Sequence, residues 1–480
     1  MGITTTSLDG GDPIESPPTR RGAIQRSMRS VRLGATLLLA AALASPLPTL
    51  AVEPAVDAAR EATVPCTCSA DCVRAIQYGS VCVEGHCAPY EDAWSLLDWV
   101  GLAREGKGPP EPLVLLPAIL PAVGYNPAMG VLFGVTGTLG MYLGPLADTT
   151  ISSLQAVALY STMAQLTLQV STTVMTSGNE WELQGDWRFL LFNQKTYGLG
   201  TGPQAMSAAA MVEDFNLVRL HETVMKRIWG DLYFGLGYRL DSYYAVKDKG
   251  MDLTAAAPVV GPDYAYSLAY GFNPSQGVVS GASLAFLYDS RDSTIDPYRG
   301  LYGAASFTVN PTWLGSSQSS TSMDAQFRAY VPLSDDVPRN VIGVWLLYRG
   351  ITSGVAPYLT LPSIGWDQKN RTGRGYVQGR WRGTQELYGE VEWRFRITNN
   401  GLLGGVVFAN AESFAAPAFQ ASGPGWSYAN EKVGLLQFIR PAGGFGLRFM
   451  MNRDSRTAVS LDFALGESSF GVWFNAGEYF

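Results

Sequence analysis

Charge is scarce in this chain: Asp, Glu, Lys and Arg make up 16% of 480 residues, where an ordinary soluble domain carries about a quarter. Histidine is scarcer still, with two in all, and only His221 falls beyond the first hundred residues. A lone histidine on a strand is more often a wall residue than a catalyst. No serine nucleophile stands with a base and an orienting group, so no catalytic residue is assigned and the chain is not read as an enzyme. No glycine-rich loop follows a strand and opens a helix, and no basic cluster offers a surface to nucleic acid. No cofactor is therefore expected. The net charge of -7 does not single out a partner. Long apolar runs are missing too. Beyond the N-terminal region nothing approaches the roughly eighteen apolar residues of a membrane helix. If the chain enters a bilayer, it does so as a closed β-barrel, the other arrangement that satisfies its own backbone hydrogen bonds there.

What is present sorts into three regions. Residues 1–51 read as a secretory leader: Arg29 and Arg32, an apolar run from Leu33 to Ala44, then small residues, with cleavage expected after Ala44 or Ala51. Residues before Met28 do not resemble a charged leader start, so translation from Met28 is the alternative. Residues 52–111 hold all five cysteines, Cys66, Cys68, Cys72, Cys82 and Cys87. In an exported chain these are disulfide candidates with one thiol over. A zinc site including His86 is the sharper but less favoured alternative, and no metal is assigned. An amphipathic stretch around Trp94, Leu97 and Trp99 follows.

From Pro112 to Phe480 apolar and polar residues alternate, the period of a strand with one greasy and one wet face. Between Glu386 and Ile397, Glu390, Glu392, Arg394 and Arg396 share one face, while Leu387, Val391, Trp393, Phe395 and Ile397 share the other. Sixteen such segments can be placed, the first near 115–125 and the last near 469–480, with the sixth and seventh near 213–225 and 229–243. The first carries Pro117 and Pro121, which suit only an edge or irregular strand. Alternation alone also fits a soluble sandwich. Leader, aromatics and strand number favour an all-β fold: a sixteen-stranded antiparallel transmembrane barrel, apolar outside and polar within. Connection lengths agree, because four long ones (193–212, 244–277, 352–384 and 412–440) all fall on one side. Short turns, among them Lys226–Ile228, fall on the other.

Two stretches carry a family likeness. From Tyr288 the chain reads YDSRDSTIDPYRGLYG, and from Tyr358 it reads YLTLPSIGWDQKNRTGRGYVQGRWRGTQELYGEVEWRFRI. The region from Pro112 to Phe480 resembles the BamA/TamA superfamily, the bacterial surface antigen family of sixteen-stranded outer-membrane barrels. That resemblance implies an integral outer-membrane location. It implies that Asp289, Arg291, Asp292, Pro297 and Gly300 form a periplasmic turn. It further implies that Arg374, Gly375 and Tyr376 sit at the tip of a sixth external loop that folds into the lumen. There Arg374 pairs with inward acids, for which Glu390, Glu392 and Asp462 are the candidates. One element departs: where the family has Phe-x-Asp-x-Gly on the thirteenth strand, this chain has Phe408, Asn410 and Glu412, and Glu412 is the acid expected to take over. Phe474 and the terminal Phe480 resemble the signal by which the outer-membrane barrel assembly machinery accepts its clients. Glu478 is expected on the same strand face, near the interface.

Residues 52–111 do not resemble the periplasmic POTRA domains of the family's insertases and translocators, so the likeness is to its stand-alone barrels. The leading expectation is a barrel that aids insertion or transit of lipid or protein through a weak seam between first and last strands. Its partners would be outer-membrane lipids and, during biogenesis, the assembly machinery; the cargo is not legible. A passive pore or structural barrel is the second reading. An outer-membrane phospholipase or protease comes last.

Overall fold

The computed structural model describes residues 80–83, 86–89, 93, 113, 115–126, 130–145 and 148–480, the last span without 209, 335–338, 369, 399–400 and 454–455. The leader, the stretch around Trp94 to Trp99 and Cys66, Cys68 and Cys72 lie outside the described residues. Cys82 and Cys87 face each other across a short antiparallel ladder of β1 (Ser80–Val83) and β2 (His86–Pro89), with their side chains outside the description.

Sixteen antiparallel strands then form one sheet, each paired to the next in chain order. They begin with β3 (Leu116–Asn126), β4 (Gly130–Met141), β5 (Ser152–Ser161), β6 (Leu166–Met175), β7 (Trp181–Thr196), β8 (Met211–Trp229), β9 (Leu232–Lys249) and β10 (Gln276–Asp289). They continue with β11 (Gly300–Asn310), β12 (Ser320–Pro332), β13 (Val341–Gly354), β14 (Gln385–Arg396) and β15 (Leu403–Ala415). A separate hairpin of β16 (Phe419–Gly423) and β17 (Trp426–Asn430) interrupts the series, which closes with β18 (Arg440–Asn452), β19 (Thr457–Gly466) and β20 (Ser469–Ala476). No helix among the described residues is long and apolar enough to cross a membrane.

The sense of the alternation is settled on β14, where Glu390 and Glu392 are 2% and 1% exposed while Val391 and Trp393 are 50% and 45% exposed. Apolar residues face outward and charges inward, the arrangement of a barrel whose solvent outside is lipid. Val135, Phe133, Leu284, Phe286, Leu346, Phe445 and Leu447 continue the outward apolar surface around the wall.

Two boundaries differ from those read in the sequence. The turn expected at Lys226–Ile228 lies inside β8, which runs on to Trp229. The chain reverses at Gly230 instead, in the left-handed region that a glycine adopts without strain. Alternation does not mark this turn, because exposed residues near a barrel rim are under little pressure to keep period. The last strand stops at Ala476 rather than 480, where Gly477 at φ 88° bends the chain out of the sheet.

The long connections gather at one end. They hold a five-residue helix α1 (Pro203–Ser207) and a nine-residue helix α2 (Pro262–Tyr270), each opened by a proline at its first position, where the missing N–H costs nothing. Gly271, left-handed at φ 74°, ends α2 with its N–H on the carbonyls of Ser267 and Leu268. Tyr266, Tyr358, Trp366, Phe215, Tyr243 and Val433 pack there into an apolar cap over the lumen. The first and last strands lie side by side. Among the described residues no ladder joins them.

Candidate functional site: the loop-six lumen lock

Residues 355–384, between β13 and β14, fold down into the barrel. Arg374, at the tip, is fully buried. Its guanidinium donates to Asp462 Oδ2 on β19 at 3.0 Å, to Glu392 Oε2 on β14 at 2.6 Å, and to Glu390. Three acids on two strands therefore converge on one cation. A buried charge is costly unless paired and hydrogen-bonded, and planar guanidinium suits several carboxylates at once. Strand period places Glu390 and Glu392 on one face, and Asp462 shares the inward phase of β19.

The two residues that follow have separate geometric reasons. Gly375 adopts φ 112°, and a Cβ there would stand 2.6 Å from the Cβ of Ala442 on β18. Tyr376 donates its hydroxyl hydrogen to the Pro441 carbonyl at 2.8 Å and accepts the N–H of Glu467 at 3.0 Å, so it bridges β18 to the β19–β20 turn. On β15, Phe408 lies under Arg374, its ring centroid 3.6 Å from the guanidinium carbon, and Asn410 donates to the Arg374 carbonyl at 2.9 Å. Glu412, expected to replace the missing aspartate, does not do so. It is buried with both carboxylate oxygens unpartnered among the described residues, and Asn410 takes the role through its amide. The backbone carbonyl, which an amide can serve and a carboxylate cannot, was not visible as a partner in the sequence.

The loop also crosses to the opposite wall. Arg188 on β7 donates to the carbonyls of Asp367 and Gln368 at 2.7 and 2.8 Å, while Gln169 on β6 donates to Gln368 and receives the Asn370 amide. Loop six is thus tied to both sides of the lumen.

At the short-turn end, residues 290–299 close the barrel mouth. Arg291 donates to both oxygens of Asp289, at 2.8 and 2.7 Å, and its guanidinium lies over Tyr302. Asp292 accepts the backbone N–H groups of Tyr298 and Arg299 and a bond from Arg456, next to β19. Arg394 reaches the Pro297 carbonyl at 3.3 Å, and Thr294 reaches the Ile151 carbonyl beside β5. Gly300 at φ 108° re-enters the sheet where a Cβ would meet the Ser290 carbonyl at 2.3 Å. The motif braces one mouth of the barrel across its width.

Residues 477–480 lie elsewhere than strand period suggested. Phe474 faces outward at 38% exposure, but Glu478, Tyr479 and Phe480 turn into the lumen and are buried. Glu478 accepts from Arg448 at 2.6 Å, Tyr479 offers its carbonyl to Arg371 at 2.9 Å, and the Phe480 oxygen accepts from Arg394 at 2.7 Å. The Phe480 ring packs on Trp345 and Tyr330. Glu478 therefore belongs to the lumen network rather than the interface, because Gly477 redirects the chain and Arg448, Arg339 and Arg394 stand within 4.0 Å of its carboxylate. Arg448, which also binds Asp462 at 2.5 Å, was missed in the sequence, although the inward phase of β18 contains it. His221 hydrogen-bonds Asp241 at 3.2 Å beside Arg219. Among the described residues no group of three His, Cys, Asp or Glu is arranged to hold a metal ion.

A nearly closed sixteen-stranded barrel, apolar outside and crossed by an inserted loop with a buried arginine, defines the class. Residues 275–451, from β10 to β18, match the Omp85 superfamily domain. That match agrees with the resemblance to the BamA/TamA superfamily over the second half of the barrel. No curated protein matches the chain in sequence. Among solved structures, BamA from Haemophilus ducreyi lacking POTRA domains 1–3 is 15% identical with TM-score 0.44, the match covering 75% of this chain and 69% of that one. CdiB from Acinetobacter baumannii is 11% identical with TM-score 0.43, covering 75% and 59%. CdiB from Escherichia coli is 10% identical with TM-score 0.43, covering 77% and 61%.

Proposed function

We propose that this protein is an integral outer-membrane barrel that lets lipid or protein pass or insert along the junction of β3 and β20. The observation that carries this reading is the junction itself: the two strands run side by side, and among the described residues no ladder joins them. β20 has eight residues where β8 has nineteen, so the edge offers few backbone partners. Pro117 and Pro121 remove two donors from β3. An edge short of hydrogen bonds opens at lower cost than any other place in a barrel. Export by a leader spanning residues 1–51 and delivery to the assembly machinery through Phe474 belong to the same reading. So do a periplasmic extension over residues 52–111 and a transmembrane barrel over 112–480.

The test is a set of cysteine pairs, one on β3 and one on β20, in a background without the five native cysteines, oxidised in reconstituted vesicles. Crosslinking that abolishes lipid scrambling or ion leak while the barrel stays folded supports a working seam. Unchanged leak with the seam locked points instead to conduction through the lumen, and a steady open conductance would favour the passive pore.

A further inference from the structure

The lumen holds a cavity of about 250 Å³ between loop six and the wall from β7 to β13. Its charges can be matched one by one. Asp186 receives Arg188 at 2.7 Å, Asp241 receives Arg219 at 2.5 Å, and Asp324 receives Arg239 at 2.8 Å. Asp367 accepts the backbone N–H groups of Arg371 and Thr372, and Arg349 is held by Glu386. Arg328 is different. It is 8% exposed, lines the cavity, and has no carboxylate partner among the described residues. Among the described residues its one hydrogen bond goes to Gln326 Oε1 at 2.9 Å, and its Nε is unpartnered.

Strand register explains why Arg328 is presented rather than collapsed. Tyr302, Arg328 and Trp345 are direct partners across β11, β12 and β13, so their side chains form one inward row. The guanidinium carbon lies 5.3 Å from the Tyr302 ring and 4.6 Å from the Trp345 ring. Aromatic faces stabilise a cation without neutralising it and fix the plane of the guanidinium. Trp345, 1% exposed, also lines the cavity and has its indole N–H unpartnered. A buried cation without a counter-charge among the described residues, beside a second unpartnered donor and open space, is what an oxyanion complements.

We propose that Arg328 and Trp345 form an oxyanion site in the barrel lumen, one that takes a carboxylate or a phosphate group. Arg328 supplies the charge, the Trp345 indole N–H supplies direction, and Tyr302 holds the arginine in place. The site stands independently of whether the β3–β20 seam opens.

Iodide, an anionic quencher, reads this site through Trp345 fluorescence in folded, detergent-solubilised full chain, with Trp345→Phe subtracted to isolate that residue. Iodide should quench Trp345 more than caesium does, and inorganic phosphate and acetate, titrated separately, should relieve it. Relief by phosphate alone assigns a phosphate group; relief by acetate as well extends the site to carboxylates. In Arg328→Gln the phosphate concentration for half-relief should rise about tenfold, the factor of one charge-assisted hydrogen bond. Arg328→Lys, which keeps the charge, should retain preferential iodide quenching. Equal quenching by iodide and caesium, or relief by neither anion, overturns the site from wild-type protein alone, whether or not the variants fold.

Discussion

The Tyr479 ring centroid lies 4.0 Å from the guanidinium carbon of Arg374, so the segment that follows β20 and the tip of loop six share one place in the lumen. Arg448 joins them a second time, holding Asp462, which binds Arg374, and Glu478, which sits beside Tyr479. Neither the edge strand's tail nor the loop can leave without disturbing the other.

Arg374→Ala removes one cation from among Glu390, Glu392 and Asp462. Stranding buried charges in this way costs about 3–5 kcal/mol. The unboiled, compact gel form should be lost at a markedly lower temperature than in wild type. Arg374→Lys should recover little, because an ammonium does not present the guanidinium's planar fork of donors.

Glu478→Gln combined with Tyr479→Ala leaves loop six intact in sequence, removes the Tyr479 ring from beside Arg374 and loosens the tail from Arg448, while the backbone bond from Arg371 to the residue 479 carbonyl remains. Protease cleavage within residues 363–381 should quicken, and the combination with Arg374→Ala should cost less than the separate effects summed, as coupled residues do. Strict additivity would show that the two segments are merely neighbours.

Gly375→Ala forces a side chain into φ 112° and against Ala442. Strain of this kind costs about 1–3 kcal/mol. Thermal loss of the compact form should shift by less than in Arg374→Ala. An unchanged midpoint would mean that the loop tip can move aside.

Asp263, buried in α2, has its carboxyl pushed up to about 7 by burial and then by the charge of Asp248. A carboxyl raised above its unfolded value binds its proton more tightly in the folded state. It therefore contributes stability at acid pH that fades as pH rises from about 4 to about 7. Protection factors over residues 250–275, which divide out the intrinsic rise of amide exchange with pH, should be lower at pH 8 than at pH 5, and Asp263→Asn should flatten that difference. An equal pH response in the variant would assign the effect to another group.

Strand number was legible because lipid outside and charge inside impose a period of two on nearly every strand, and β14 shows it without exception from Glu386 to Arg394. Arg374 and its three acids were legible through motif and phase together. Asn410, Arg448 and Glu478 were not assigned to the site, since which inward side chain meets which depends on how β14, β15, β18 and β19 lie around the loop. The end of β20 was invisible for a simpler reason. Alternation continues through Glu478 on paper, and only the left-handed Gly477 reveals the bend.

The sequence by itself determined the class of fold, the inward and outward faces and the existence of an inserted arginine, because these follow from local period and short motifs. Tertiary structure alone decided that residues 477–480 enter the lumen and that Arg328 is left without an acid among the described residues. It also decided that the first and last strands meet without a ladder. Each is a relation between segments far apart in the chain, set by where a barrel's curvature and its inserted loop bring side chains together, and no local pattern encodes that meeting.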